Sequence, residues 1–278
     1  MKELFTHTDV AYWRQNATGR IGLVPTMGSL HAGHMHLVEA AHAECDTVIA
    51  SVFVNPLQFG PDEDYEAYPR DYASDRDQLA AAGVDGLFAP SVDTMYPRGL
   101  AAATVVDVPG LTDILCGAHR PGHFRGVVTV VAKLFNRIRP HLAFFGEKDF
   151  QQLAVIRRMA DDLATGVEVR GVAVDREPDG LARSSRNAYL NDDQRQRAAV
   201  LYHALLEARD RLTSGSHDIA TIEEFGRQRL SDAGFQVDYF TVRAVNLNPP
   251  DTSTTEFRVL AAGWLGRARL IDNLPASR

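Results

Sequence analysis

Through the first two thirds of the chain, short apolar runs alternate with stretches of helical periodicity. Residues 21–25, 47–54 and 142–145 form runs with little polar alternation; 167–174 is a further strand, and 87–89 and 104–108 are shorter candidates. Strands without a polar alternate are buried on both faces, which is the habit of a parallel sheet. Between them, 35–44, 71–82, 127–138 and 149–163 read as helices. In the third of these, Val127, Val130, Val131, Leu134, Phe135 and Ile138 fall on one face. Gly83 stands where a helix ending at 82 takes its C-cap. The alternation predicts an α/β fold: a doubly wound parallel sheet with helices on both sides.

After residue 174 the grammar changes. Residues 175–190 are polar, rich in Arg and Ser, and read as a loop. Asn191 opens a long helix, with Asp192 and Asp193 in its first turn and Gln194 where a capping box wants Glu or Gln. A second helix follows at 221–233. Strands are expected at 239–245, 258–264 and 268–272, the last two flanking a tight turn at Leu265-Gly266. Residues 246–256 read as a polar loop. Helices followed by a run of strands predict a smaller α+β domain. The expected division is 1–174 and 175–278.

Composition narrows the partners more than the fold. With 278 residues, the chain has room for about two domains at roughly 150 residues each. Its 45% apolar and 23% charged content excludes a disordered chain. A formal charge of -7 argues against binding a long phosphate backbone, so no nucleic acid is expected, although a small nucleotide needs only a local positive pocket. Cys45 and Cys116 make neither a disulfide framework nor a metal-ligand spacing, which suits a reducing compartment. No run approaches 18 apolar residues, so no membrane span is expected, and the first residues do not read as a secretory signal. The expectation is a soluble cytoplasmic protein.

The chemistry concentrates where the first of these strands gives way to a helix, in Pro25-Thr26-Met27-Gly28-Ser29-Leu30-His31-Ala32-Gly33-His34. Turns at the carboxyl edge of a parallel sheet are where such folds take ligands. The amino end of a helix offers unpaired N–H groups and partial positive charge to a phosphate. Gly28 and Gly33 have Walker spacing, but His34 and Met35 replace the required Lys and Ser or Thr. The three-glycine dinucleotide pattern is absent. What remains is His31 and His34: two imidazole donors for phosphate oxygens, or a pair of surface or N-capping histidines.

The same ten residues closely resemble the first signature of the pantoate–β-alanine ligase family, nucleotidylyltransferases with a His-x-Gly-His motif that are distant relatives of class I aminoacyl-tRNA synthetases. Further blocks follow in the family's order, from about residue 20 to the C-terminus. They are Ser51-Val52-Phe53-Val54-Asn55-Pro56-Leu57-Gln58-Phe59, then Ala67-Tyr68-Pro69-Arg70, then Arg120-Pro121-Gly122-His123-Phe124-Arg125-Gly126-Val127. Next come Phe144-Phe145-Gly146-Glu147-Lys148-Asp149-Phe150-Gln151-Gln152-Leu153 and Asp179-Gly180-Leu181-Ala182-Arg183-Ser184-Ser185-Arg186-Asn187. The ending, Trp264-Leu265-Gly266-Arg267-Ala268-Arg269-Leu270-Ile271-Asp272-Asn273, also fits.

The resemblance implies a Rossmann-like first domain that binds ATP and pantoate, a smaller C-terminal lid domain, and two half-reactions. The pantoate carboxylate attacks the α-phosphate of ATP to give pantoyl adenylate and pyrophosphate; the amine of β-alanine then attacks the acyl carbon, releasing AMP. A carboxylate is already ionised at neutral pH, so the first step asks for positioning and charge stabilisation rather than a base. By resemblance, His34 is the principal catalytic histidine, with His31, Lys148 and Arg186 beside it on the phosphates. Met27, Gly28, Ser29, Leu30, Ala32 and Gly33 would line the ATP site with the histidines. Gly146, Glu147 and Asp149 would do so with Lys148, and Asp175, Arg183, Ser184 and Ser185 with Arg186. Gln58 and Gln152 would take pantoate near β-alanine; Asp149 and Gln152 also have nearly the spacing of a capping box. Asp75 is expected either as a Mg²⁺ ligand or as a solvated helix acid, next to Ser74 where some relatives carry a second acid. His123 is left as a structural or dimer-related residue, and a homodimer through the first domain is implied. The Ser184–Arg186 stretch resembles the mobile synthetase loop that closes over the triphosphate.

Two positions depart from the family's pattern. Asp175 and Arg183 both stand where apolar residues are usual, and Arg183 either adds a cation near the phosphates or points to solvent. Rival readings remain. A nucleotidylyltransferase acting on a phosphorylated acceptor shares the histidine motif but does not predict Gln58 and Gln152 in these settings. A non-catalytic nucleotide sensor would tolerate loss of His34 and Lys148. A tRNA-charging role is disfavoured by the acidic chain.

Overall fold

The computed structural model describes residues 1–61, 63, 65–215 and 218–278. They form two compact units, 1–147 with 151–173, and 148–150 with 174–278.

The apolar runs become the middle of a sheet. Among the described residues of the first unit, its strands are β1 (Lys2–Leu4), β2 (Ile21–Thr26), β3 (Thr47–Val52), β4 (Gly86–Phe88), β5 (Leu142–Gly146) and β6 (Glu168–Val172). Every pairing is parallel and the order is β1-β4-β3-β2-β5-β6. Ile21, Leu23, Val24, Val48, Ile49, Ala50, Leu142, Ala143 and Phe144 are wholly buried, which is why their runs show no polar alternate. The helices are α1 (His7–Asn16), α2 (Ala32–Glu44), α3 (Tyr72–Ala81), the single turns α4 (Val92–Met95) and α5 (Cys116–His119), α6 (His123–Ile138) and α7 (Phe150–Asp162). From β2 the chain winds outward through β3 to β4, and later winds the other way through β5 to β6. The carboxyl ends of β2 and β5 therefore flank the point where the winding reverses, the usual place for a ligand crevice.

One expected strand is absent. Residues 104–108 are not a strand; instead the Thr129 hydroxyl on α6 accepts from the Val106 N–H (2.9 Å) and donates to the Val106 carbonyl (3.4 Å). A side chain thus occupies the backbone groups that a neighbouring strand would need. The sheet edge beside β4 is taken by β1, which the sequence did not announce. Nor did it announce α1, where only Val10 and Trp13 are buried, although the Thr6 hydroxyl and Asp9 carboxylate make a reciprocal cap at its start.

In the second unit, helices α8 (Asp192–Ala198), α9 (Val200–Ser214) and α10 (Ile219–Asp232) precede strands β7 (Gln236–Ala244), β8 (Glu256–Leu265) and β9 (Ala268–Ser277). The strands are antiparallel in the order β7-β8-β9, as an α+β unit requires. The capping box forms: the Gln194 N–H donates to Asn191 Oδ1 (2.9 Å) and the Asn191 N–H to Gln194 Oε1 (3.1 Å). The expected long helix is instead two, separated at Ala199. Leu201, Leu205, Leu212, Ile222, Leu230, Phe240 and Val259 build the core. Gly226 on α10 lets the Phe240 ring approach; a Cβ there would lie 2.2 Å from it. Strand β9 runs past the expected end at 272 because Leu274 and Ala276 are also buried. Among the described residues no helix is long and apolar enough to cross a membrane.

Candidate active site

Strand β2 ends at Thr26, and the five residues before α2 turn on backbone conformations that few side chains favour. Gly28 has φ +83° and Ser29 φ +53°. A Cβ at Gly28 would meet Asp75 Oδ2 at 2.7 Å, so glycine is required on two counts. The Gly28 N–H donates to Thr26 Oγ1 at 3.2 Å. The next two backbone donors go to one carboxylate: Ser29 N–H to Asp75 Oδ2 (3.0 Å) and Leu30 N–H to Asp75 Oδ1 (2.8 Å). Asp75, in the first turn of α3, is only 1% exposed. It is not a solvated acid; it fastens the loop in front of α2.

The two histidines then cap the helix on each other. His31 is the N-cap, its Nδ1 accepting from the Gly33 N–H at 3.2 Å, and His34 Nδ1 accepts from the His31 N–H at 3.3 Å. The rings lie 4.1 Å apart at 44°. A backbone N–H can only donate, so both Nδ1 atoms are acceptors and the proton of each neutral ring sits on Nε2. Capping and donation, weighed above as rivals, use opposite nitrogens of the same rings.

Beyond β3, Asn55 caps the turn Pro56–Gln58. Gln58 is 7% exposed. Its carbonyl accepts from His123 Nδ1 (2.7 Å) and Arg120 (3.4 Å), and Arg120 in turn pairs with Glu63. His123 thus holds the turn that carries Gln58. The Gln58 side chain lies against Asn55 and Met27 Sδ. Asn55 and Tyr96, which hydrogen-bonds it, were not anticipated; Asn before Pro is an ordinary turn signal and told only of the turn. Burial pushes the Tyr96 phenol well above its usual range, so its hydroxyl remains a donor at neutral pH. Within the first unit the structure brings together residues 27–34, Gln58 and Asp75.

At the end of β5, Gly146 and Glu147 lead into a tight turn, Glu147–Asp149, before α7. Lys148 is mostly buried, 3.4 Å from Asp149 Oδ2, and its carbonyl accepts from Asn273 Nδ2 at 2.9 Å. Of the paired glutamines, Gln151 is structural. It is buried and ties the Cys116 N–H and the Leu111 and Ile114 carbonyls. Gln152 is half-buried, and no described residue hydrogen-bonds its amide.

Residues 175–183 fold back as a hairpin, with a bridge between Arg176 and Ala182. Arg183 neither faces solvent alone nor stands as an uncompensated cation. Its guanidinium lies 2.9 Å from Asp175 and 2.7 Å from Glu177, so the two departures from the family's pattern are partners. Arg176 makes a bidentate pair with the buried Asp272 (2.6 and 3.0 Å) and lies over the Tyr202 ring. Burial pushes the Asp272 carboxyl up, and Arg176 pulls against that. Arg195 pairs with Asp179 at the hairpin's tip. Ser184 Oγ then accepts from the Arg186 N–H (3.3 Å), capping a short turn at Ser185–Tyr189, with Ser185 and Arg186 half-buried.

Against known proteins, a sequence model of the Pantoate-beta-alanine ligase family matches residues 2–275. The pantothenate synthetase of Idiomarina loihiensis is 49% identical over 275 residues, covering 99% of this chain and 97% of that protein. That of Stutzerimonas stutzeri is 53% identical over 256 residues, covering 92% and 90%. Among solved structures, pantothenate synthetase from Thermus thermophilus superposes with a TM-score of 0.92 at 50% identity, covering 99% of each chain. The pantoate-beta-alanine ligase of Francisella tularensis, complexed with beta-gamma ATP and beta-alanine, gives 0.83 at 32% identity over 99% of this chain and 97% of that one.

Proposed function

The chain belongs to the pantoate–β-alanine ligase family, and from that premise we propose how its residues divide the work. The enzyme joins pantoate to β-alanine at the expense of ATP, through a pantoyl adenylate. In the first half-reaction negative charge gathers on the α-phosphate as the carboxylate arrives. His34 donates Nε2–H to that phosphate, and His31 donates to neighbouring oxygens. Each is held in the right tautomer by the backbone bond to its Nδ1. The amino end of α2 adds its partial positive charge. Residues 27–33 carry the nucleotide on a loop already fastened by Asp75. Lys148, from the turn that Gly146, Glu147 and Asp149 build, and Arg186 with Ser184 and Ser185 are further phosphate ligands. Gln58 and Gln152 take pantoate. The reciprocal imidazole cap is the observation that best supports this division, because it supplies donors where the reaction needs no base.

Mg²⁺ does not fit at Asp75. Both oxygens of that carboxylate receive backbone N–H groups in a buried setting. Among the described residues no three His, Cys, Asp or Glu side chains gather to hold a metal. Asp175 and Arg183 act on the phosphates only indirectly, by bracing the hairpin before Ser184. A homodimer in the cytoplasm completes the reading; a chain with two cysteines, too few for a disulfide framework, suits a reducing compartment, and sedimentation tests the dimer.

The decisive experiment is exchange of labelled pyrophosphate into ATP. Exchange is expected to require pantoate and no phosphorylated acceptor, and to fall with His34→Ala. Exchange that ignores pantoate overturns the reading.

A further inference from the structure

The two ends of a carboxamide are told apart by their neighbours, and around Asn55 two backbone groups settle the matter. The Gly126 carbonyl, which can only accept, lies 3.0 Å from Asn55 Nδ2. The Leu57 N–H, which can only donate, points at Oδ1 from 3.4 Å. Reversing the amide would set acceptor against acceptor and donor against donor. So Nδ2 spends its other hydrogen on Gln58 Oε1 (3.0 Å), and Oδ1 takes the hydroxyl hydrogen of Tyr96 (2.7 Å). The orientation passes along the chain of bonds. Gln58 has its oxygen tied to Asn55, and its NH₂ end lies 3.8 Å from Met27 Sδ, a weak acceptor in the proposed ATP loop. Tyr96 and Asn55 are 2% and 0% exposed, so water does not substitute for a lost partner. Gly126 makes the close approach possible, since a Cβ there would strike the Leu57 carbonyl at 2.0 Å.

We propose that Tyr96 is a positioning residue for pantoate: its hydroxyl holds in place the Asn55 amide that the backbone has oriented, and so steadies the Gln58 amide with its hydrogen-bond donor toward the substrate. That donor matches a carboxylate or hydroxyl oxygen and rejects a substrate presenting a donor at the same place. The proposal rests on Gln58 being a pantoate ligand.

Steady-state kinetics on Tyr96→Phe, Gln58→Ala and the double variant test it, with circular dichroism confirming the fold. Tyr96→Phe keeps the ring and loses one hydrogen bond, so the KM for pantoate is expected to rise about fivefold. The KM for ATP is expected to stay within about twofold, and in the Gln58→Ala background the added effect of Tyr96→Phe falls below about twofold. An unchanged pantoate KM, an equal shift for ATP, or a full fivefold effect without Gln58 overturns the positioning role. Gln58→Ala with unaltered pantoate use overturns the ligand reading itself, a separate outcome. Gln58→Glu keeps the shape but replaces the donors with an acceptor, and is expected to impair pantoate use more than Gln58→Ala; equal or better use overturns the donor assignment.

Discussion

The loop before α2 and the hairpin at 175–183 are both proposed to serve phosphate ligands, yet they are held in opposite ways. The first is fixed by hydrogen bonds from its own backbone to one buried carboxylate and two imidazoles. The second is braced by arginine–carboxylate pairs, several of them partly exposed: Arg183 with Asp175 and Glu177, and Arg195 with Asp179. Backbone donors bonded to a buried charge are costly to orphan. Half-exposed ion pairs are screened and contribute little singly. The loop is therefore brittle throughout, whereas the hairpin tolerates substitution at Arg183 and Arg195 but not at Arg176, whose partner Asp272 is buried.

The largest effect should come from removing the donors themselves. His34→Ala is expected to keep the fold and slow adenylate formation by ~10²–10³, the usual cost of an aimed donor. Lys148→Ala should likewise lose most of it. Turnover within tenfold of the parent, by pyrophosphate exchange, would show that the residue does not have the role given it.

Asp75→Asn comes next. One oxygen becomes an NH₂ group facing a backbone N–H, at a cost on the order of 2 kcal/mol. The denaturation midpoint should fall and the KM for ATP should rise; a variant as stable as the parent would mean that the loop is held by something else.

Arg183→Met should do much less. If the guanidinium braces the hairpin, the KM for ATP rises less than about threefold, and less still at high salt. A tenfold or greater rise would put Arg183 on the phosphates directly and remove the contrast between the two regions.

The smallest effect is one of pH. The Arg195 bond holds the Asp179 carboxyl below the usual carboxylate range. The folded hairpin then binds fewer protons at that site than the unfolded chain. Its contribution to stability is present above the unfolded pKa and is lost as pH falls through the folded one. The protection factor of the Leu181 amide, whose N–H donates to Asp179 Oδ1, should fall over that acidic range and stay level above it; protection that does not change there would show that the Arg195–Asp179 bond does not hold the tip.

The sheet's centre was legible because burial on both faces writes itself as uninterrupted apolar residues, as in Val48, Ile49 and Ala50. Thr104–Val108 misled because the same composition also suits an extended segment bonded to one threonine. The histidine motif was legible as local spacing. Asp75 was not, since its partners lie 46 and 45 residues away and nothing local distinguishes a buried carboxylate on a helix from a solvated one. Arg183 and Asp175 are only eight positions apart, but their meeting needs the turn at Gly180, whose φ of +90° and close approach to Tyr202 appear only in three dimensions. Tyr96 carried no signal, because nothing in Asp93-Thr94-Met95-Tyr96-Pro97-Arg98 ties a tyrosine to Asn55, 41 positions away.

The interlocked cap at His31 and His34 has one more consequence. With each inner lone pair committed to the main chain, neither ring can pass a proton in on one nitrogen and out on the other without loosening the start of the helix. The pair is wired as two terminals rather than as a relay. Whatever takes the proton from the amine in the second half of the catalytic cycle is therefore to be sought elsewhere.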